Sequence, residues 1–297
     1  MSGMGPAVRW LITGGRGQLG SDLRDLLTGT PDVQLRACGS AELDVTDRAS
    51  IAAQVADFRP DVIVNAAAYT AVDAAESDYD RAYAVNALGP ALLAAEVART
   101  GTRLVHLSTD YVFDGTAETP YPVDAPTNPQ SAYGRSKLAG EQAVRELAPA
   151  TGYVVRTSWL YGAAGPNFVK TMARLAAAED PVSVVADQVG SPTWSADLAG
   201  RLIDLVHAEP PAGIYHCRGA GSTSWHGFAQ AIFAELGADP DRVLPITSEK
   251  YPRPAPRPAY SVLSDAEWLA AGLPAMLDWR AALTAALAAD RTAYLPE

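Results

Sequence analysis

Residues 7–20 read AVRWLITGGRGQLG, an apolar run that ends in a cluster of glycines. The first part, AVRWLITGG, reads as a strand, and GGRGQLG turns it into a helix that continues as SDLRDLLTG. Gly14, Gly17 and Gly20 have the spacing G-x-x-G-x-x-G. The first permits a tight turn, the second lets a pyrophosphate approach the backbone, and the third lets the helix pack close on the strand. Backbone N–H groups at the helix start, around Gln18 and Leu19, are expected to hold the phosphates. Strand, glycine loop and helix in this order open a dinucleotide-binding α/β fold.

The second strand is VQLRAC, followed by GSAELDVTD. Many NAD-binding units carry an acid at this strand end to hold the adenosine ribose. Here the position is Gly39, while Arg16 inside the loop can pair with an extra 2′-phosphate, which leans the reading towards NADPH and leaves NADH open. Asp44 and Val45 are expected at the adenine edge, and Thr46 or Asp47 caps the next helix, which stops before Pro60. DVIVNAAAY is a third, nearly continuous apolar strand, whose end at Ala66, Ala67 and Ala68 lets a dinucleotide lie close to the backbone. A helix containing AYAVNALGPALLAAEVART follows, with Asn86 as a polar tie in an apolar setting.

RLVHLST is the fourth strand, ending at Ser108, Thr109 and Asp110. Next comes a long proline-rich loop, DYVFDGTAETPYPVDAPTNPQS, of the length expected of a binding loop. In SAYGRSKLAGEQ, Tyr133 and Lys137 are four residues apart and share a helix face. A lysine cation beside a phenol favours the phenolate, which eases proton exchange near neutral pH. A hydroxyl at a strand end, a Tyr/Lys pair on the next helix and a nucleotide loop at the start form a specific arrangement. With GYVVRTSWLYG as a further strand, residues 1–160 read as an NADP(H)-binding Rossmann domain, a doubly wound parallel sheet.

Residues 161–297 read mainly as a smaller α/β substrate-binding lobe, with segments at about 187–210 returning to the first sheet. The proline-rich run YPRPAPRPAYSVLS cannot be a regular helix or central strand and is expected to wrap the pocket as an extended loop. Asn167, Lys170, Gln188 and Arg257 are the polar anchors. Arg257 reads equally as a phosphate or base contact and as a surface charge between prolines. Trp159 reads as core or as one wall of a sugar pocket. Tyr111 and Phe113 are expected to shape that pocket, and Thr70, Val72 and Asp73 to reach the same cleft.

The 297 residues are 48% hydrophobic, the composition of a globular chain, and the net charge of −11 argues against a nucleic-acid partner. Only Cys38 and Cys217 are present, read as reduced, packed thiols. His106 reads as structural, and His207, His216 and His226 lack metal-ligand spacing. The start carries no signal-peptide pattern, and no apolar run reaches membrane-spanning length, so a cytoplasmic protein without a membrane partner is expected.

TGGRGQLG at 13–20, LSTDYVFDG at 107–115, SAYGRSKLAGE at 131–141, VRTSWLYG at 155–162, DQVGSPT at 187–193 and RPAYSVL at 257–263 together resemble the dTDP-4-dehydrorhamnose reductases, in the extended short-chain dehydrogenase/reductase superfamily. The resemblance covers nearly the whole chain. It implies a catalytic triad of Thr109, Tyr133 and Lys137 and NADPH- or NADH-dependent reduction of the C4 ketone of dTDP-4-dehydro-L-rhamnose. It also places Trp159, Asn167 and Arg257 near the sugar nucleotide, with Asp110 and Gln188 in the same site. Mg²⁺ and a homodimer enter as expectations of the resemblance alone, beside a monomer. Two other readings stay open: a 4-ketoreductase of another dTDP-deoxyhexose, and a noncatalytic regulatory subunit resembling the methionine adenosyltransferase beta subunit. Asp110 is followed by Tyr111, not by an acid, which argues against dehydratase chemistry.

Overall fold

The computed structural model describes residues 7–295. Its centre is a six-stranded sheet in which every pairing is parallel. The strands are β1 (Val8–Thr13), β2 (Val33–Cys38), β3 (Val62–Asn65), β4 (Arg103–Thr109), β5 (Gly152–Thr157) and an edge strand, Gly213–His216. From one edge the order is β2, β1, β3, β4, β5 and the edge strand. The chain therefore leaves β1 towards one edge and returns to its other side as β3. That reversal opens a crevice at the carboxyl ends of β1 and β3, where open α/β sheets bind their ligands.

Apolar residues on both faces make this sheet a middle layer. Trp10 and Ile12 point to one face, with Leu23 from the Gln18–Leu27 helix and Leu198, Leu202 and Leu205 from the Ser195–Ala208 helix. Leu11 points to the other, with Val55 of the Arg48–Phe58 helix, Leu93 and Val97 of the Gly89–Thr100 helix, and Val144 of the Ala132–Leu147 helix. Each such fully buried side chain contributes roughly 1.5–3 kcal/mol relative to exposure. Asp47, not Thr46, caps the second helix, accepting the Ala49 N–H. Cys38 and Cys217 are buried free thiols.

A third apolar cluster holds the remaining lobe, with Tyr161, Phe228, Phe233, Leu283 and Tyr294 at its centre. Short two-stranded pairings, such as Val182–Val185 with Val243–Ile246, complete it. The proline-rich run straps the two parts together: Ser261 N–H donates to the Val189 carbonyl, Tyr260 N–H to Gly115, and Tyr121 N–H to Val262. Gly115 has a φ of +82°, and a Cβ there would lie 2.5 Å from Pro258, so the crossing needs glycine. Among the described residues no helix is long and apolar enough to cross a membrane.

Candidate active site and cofactor cradle

The glycine loop is built on contact between backbones. Gly14 has a φ of +66°, and a Cβ on it would sit 2.7 Å from the Ala66 carbonyl carbon and the Ala67 nitrogen. A Cβ on Gly20 would lie 2.2 Å from the Gly14 oxygen. The loop is also pinned by Gly15 N–H to Cys38 and Gly17 N–H to Gly14. Gly17 starts the Gln18–Leu27 helix with no side-chain cap, which leaves first-turn N–H groups as donors for a phosphate. Such a cradle fits a dinucleotide. Leu19 turns its side chain into the core, so only its backbone is free for a ligand. Val45 is also buried and packs against Gly89. Asp44 spends one carboxylate oxygen on the Thr46 N–H and hydroxyl, which holds its pKa below the usual range.

Arg16 is not free, as it forms an ion pair with Glu42. Gln18 reaches across the crevice and accepts from Asn167 at 3.3 Å. Asn167 itself caps the Phe168–Ala176 helix through Lys170 N–H and donates to the Gly162 carbonyl. Asn167 thus joins the second lobe to the glycine loop. Lys170 is likewise taken, donating to the Ala163 carbonyl at 2.6 Å.

The catalytic candidates meet at the carboxyl end of β4. Ser131 caps the Ala132–Leu147 helix by accepting the Gly134 N–H, and a Cβ on Gly134 would lie 2.3 Å from the Tyr111 oxygen. The helix is thereby set hard against the loop that follows Thr109. Tyr111 and Tyr133 meet edge to face, with ring centroids 5.6 Å apart. Asn86, within a π turn at Ala84–Leu88, accepts from Tyr69 N–H and donates to the Tyr69 carbonyl and Ser136 hydroxyl. It ties the loop after β3 to the Ala132–Leu147 helix, which extends its expected role.

Burial pushes the Tyr133 phenol up to about 12; the Thr109 hydroxyl lowers it and the Asp110 carboxylate raises it. The expected lowering by Lys137 is not what the geometry provides. The buried Lys137 ammonium donates to the Leu107 carbonyl at 2.5 Å, because a cation in that interior needs an acceptor. Burial also brings Lys137 down to about 8, partly offset by Glu141. The Thr109 hydroxyl donates to Asp110 at 3.0 Å and accepts the Tyr111 N–H. Asp110 is buried and rises to about 6, held back by the Ser261 and Thr109 hydroxyls, although one carboxylate oxygen and the Ser261 hydroxyl lack well-formed partners.

Beside Tyr111 opens a cavity of about 380 Å³, within the range of ligand pockets. Phe168 and Trp225 line its apolar side, Gln188, Arg253 and Arg257 its polar side. Gln188 is fixed by Ser248 at 2.9 Å. Asp73 takes Arg253 at 2.6 Å, Arg257 and the Ala255 N–H. Burial opposes its ionisation, yet the two guanidiniums and that N–H together hold its carboxyl at about 2. Arg257 is therefore no loose surface charge. Thr70 is exposed and Val72 half-buried in the turn before Asp73.

Trp159 stands behind the cavity rather than in its lining. Its φ is +45°, and its ring stacks on Trp225 at 3.6 Å with the planes 7° apart. A Cβ on Gly190 would meet this ring at 2.4 Å. Phe113 is spent on packing: it stacks on Tyr121 at 4.3 Å, with the Arg156 guanidinium 5.1 Å from its ring. His106 and His216 are buried and held neutral by desolvation, His216 at about 3. Among the described residues no cluster of three or more His, Cys, Asp or Glu converges on a metal position.

Sequence reading missed Glu42, Trp225, Phe168 and Arg253. Arg253 had a signal, four residues before Arg257 in the same proline run. Trp225 had none, as it opens a helix whose other aromatic residues are core.

Residues 8–292 match the family model described as RmlD substrate binding domain. The chain belongs to the RmlD family. This RmlD-family chain is 53% identical over 283 residues to the dTDP-4-dehydrorhamnose reductase of Streptomyces griseus, covering 94% of this chain and 93% of that protein. It is 51% identical over 279 residues to a probable dTDP-4,6-dihydroxy-2-methyloxan-3-one 4-ketoreductase of Streptomyces antibioticus, covering 93% of each. Among solved structures, the Bacillus anthracis dTDP-4-dehydrorhamnose reductase in complex with NADP superposes with a TM-score of 0.91 at 39% identity, over 95% of this chain and 99% of that one.

Proposed function

We propose that this RmlD-family chain is an NAD(P)H-dependent reductase of dTDP-4-dehydro-6-deoxyhexoses, with dTDP-4-dehydro-L-rhamnose as substrate and dTDP-L-rhamnose as product. One observation carries the reading: Thr109, Tyr133 and Lys137 converge at a strand end, and Tyr111 joins them to a cavity with two arginines and an aromatic wall. A dinucleotide held through its pyrophosphate by the glycine cradle would supply the hydride for the sugar C4 ketone. Tyr133, a neutral phenol near pH 7, donates the proton that turns the developing C4 alkoxide into a hydroxyl. Thr109 positions the tyrosine and the reacting oxygen. Lys137 keeps a positive charge beneath them, since about 8 leaves it mostly protonated at pH 7. Arg253 and Arg257 suit the substrate diphosphate, and Trp225 with Phe168 the pyrimidine face.

Residues 1–160 then carry the cofactor, and 161–297 mainly the sugar nucleotide. The Ser195–Ala208 helix, packed on the first sheet, supports the return of the segment at about 187–210. The similarity to the S. antibioticus protein favours a second reading, reduction of a different dTDP-4-ketosugar by the same residues.

The assay supplies dTDP-4-dehydro-L-rhamnose with NADPH or NADH, with and without the Mg²⁺ that the resemblance implies, and follows absorbance and product stereochemistry. Nicotinamide oxidation coupled to dTDP-L-rhamnose is expected. Oxidation only with another ketosugar moves the chain to the second reading, and no turnover with any dTDP-4-ketosugar overturns both.

A further inference from the structure

The acid that the end of β2 lacks at Gly39 is delivered from three residues further on. Glu42 folds back so that one carboxylate oxygen accepts the Gly39 N–H at 2.9 Å, while the other pairs with Arg16 of the glycine loop. Any larger residue at position 39 would push these two side chains aside. A Cβ at position 39 would lie 2.9 Å from both Arg16 Nε and Glu42 Oε2. The strand end is thus occupied by a carboxylate and a guanidinium together, beside the loop that cradles the pyrophosphate.

The two groups favour opposite nucleotides. A carboxylate accepts from the 2′- and 3′-hydroxyls of an adenosine ribose and repels a 2′-phosphate, whereas an arginine pairs with that phosphate. Both side chains are open to water, 74% for Arg16 and 43% for Glu42, so their ion pair is weak and exchanges readily. Arg36, on the same strand, already has partners in Asp57 at 2.7 Å and Gln54 at 2.9 Å.

We propose that Glu42 is the specificity-determining residue of the cofactor site, setting with Arg16 the balance between NADH and NADPH. With a free 2′-hydroxyl, Glu42 keeps Arg16 and accepts from the ribose. With a 2′-phosphate, Arg16 leaves Glu42 for the phosphate, and the stranded carboxylate opposes binding. Glu42 therefore lowers a preference for NADPH that Arg16 and Gly39 alone would give. The inference rests on the glycine loop taking a dinucleotide, as the proposed reductase requires.

Equilibrium binding to the full chain tests it, by calorimetry with NADP⁺ and NAD⁺ and with the fragments 2′,5′-ADP and 5′-AMP. Glu42→Gln, which keeps an acceptor for Gly39, is expected to tighten 2′,5′-ADP about tenfold and to weaken 5′-AMP a few-fold. Arg16→Ala is expected to weaken 2′,5′-ADP about tenfold and to leave 5′-AMP within about twofold. Unchanged melting temperatures certify that these exposed positions leave the fold intact. A Glu42→Gln chain whose two fragments shift by the same factor, or not at all, overturns the proposal while leaving the reductase reading in place. A wild-type chain that binds neither dinucleotide overturns both.

Discussion

The glycine cradle and the cavity beside Tyr111 are made from different materials. In the cradle, backbone meets backbone: Gly14 lies on Ala66 and Ala67, and Gly20 on Gly14, at spacings no side chain can enter. The cavity is made of long side chains from distant segments, with Asp73 from the first half holding Arg253 and Arg257 from the second, and Trp225 backed by Trp159. Backbone construction tolerates no substitution but gains rigidity. Side-chain construction can be retuned one residue at a time, which suits a family whose members are named for different ketosugars.

The largest expected effect lies in the cradle. Gly20→Val forces a Cβ to within 2.2 Å of the Gly14 oxygen, and backbone on both sides leaves nothing to yield. A cost of about 3 kcal/mol in stability is expected, read by urea melts, with loss of measurable NAD(P)H binding. Near-normal binding would show that the loop can be rebuilt. Next comes the residue between the two regions: Tyr133→Phe keeps the ring against Tyr111 and removes the proton. Turnover should fall by about 10²–10⁴ with cofactor binding intact, and a near-normal rate would remove Tyr133 from the chemistry.

The same contrast explains what the sequence disclosed. A glycine spacing or an i, i+4 pair is a local constraint, so the cradle, the parallel strands and the Tyr133–Lys137 helix were legible from short stretches. Contacts between segments far apart were not. Nothing around Asn167 indicates that its amide would bridge to Gln18, 149 residues earlier, and nothing around Asp73 signals two arginines some 180 residues later. Lys137 was placed on the right face, but its direction depends on the Leu107 carbonyl of a neighbouring strand. Glu42 escaped notice because the acid was sought at the strand end itself.

Asp110 sharpens the comparison, since it is a side chain placed in a backbone-like setting, buried behind Thr109. Its folded pKa is raised from 3.8 to about 6, mainly by burial. Below about pH 4 it is neutral folded and unfolded and carries no penalty. As pH rises through about 6, the unfolded chain has already released its proton and the folded one resists, so stability is lost. Asp110→Asn can keep the oxygen that accepts from Thr109 and offer an N–H to the Ser261 hydroxyl. The variant should gain up to about 3 kcal/mol over wild type at pH 8 and show no gain at pH 3.5, read by denaturant melts. An equal gain at both pH values would mean the carboxylate is not strained by burial.

The smallest expected effect, and the most direct test of side-chain construction, is Asp73→Asn. Asp73 collects Arg253, Arg257 and the Ala255 N–H, so it sets where two cations face the cavity before any anion arrives. An amide can keep one acceptor but not the ion pairs, and the arginines lose their fixed positions. KM for the dTDP-sugar should rise about three- to tenfold with kcat changed less than twofold, because positioning the diphosphate is binding shared by ground and transition states. The pH dependence gives an independent check. With its folded pKa depressed to about 2 from 3.8, Asp73 stabilises the fold above about pH 4 and ceases to do so as pH falls through about 2, a loss that the amide variant would not show. If the variant instead binds dTDP more tightly, Asp73 is a competitor that the substrate must displace, and the cavity is guarded rather than prearranged.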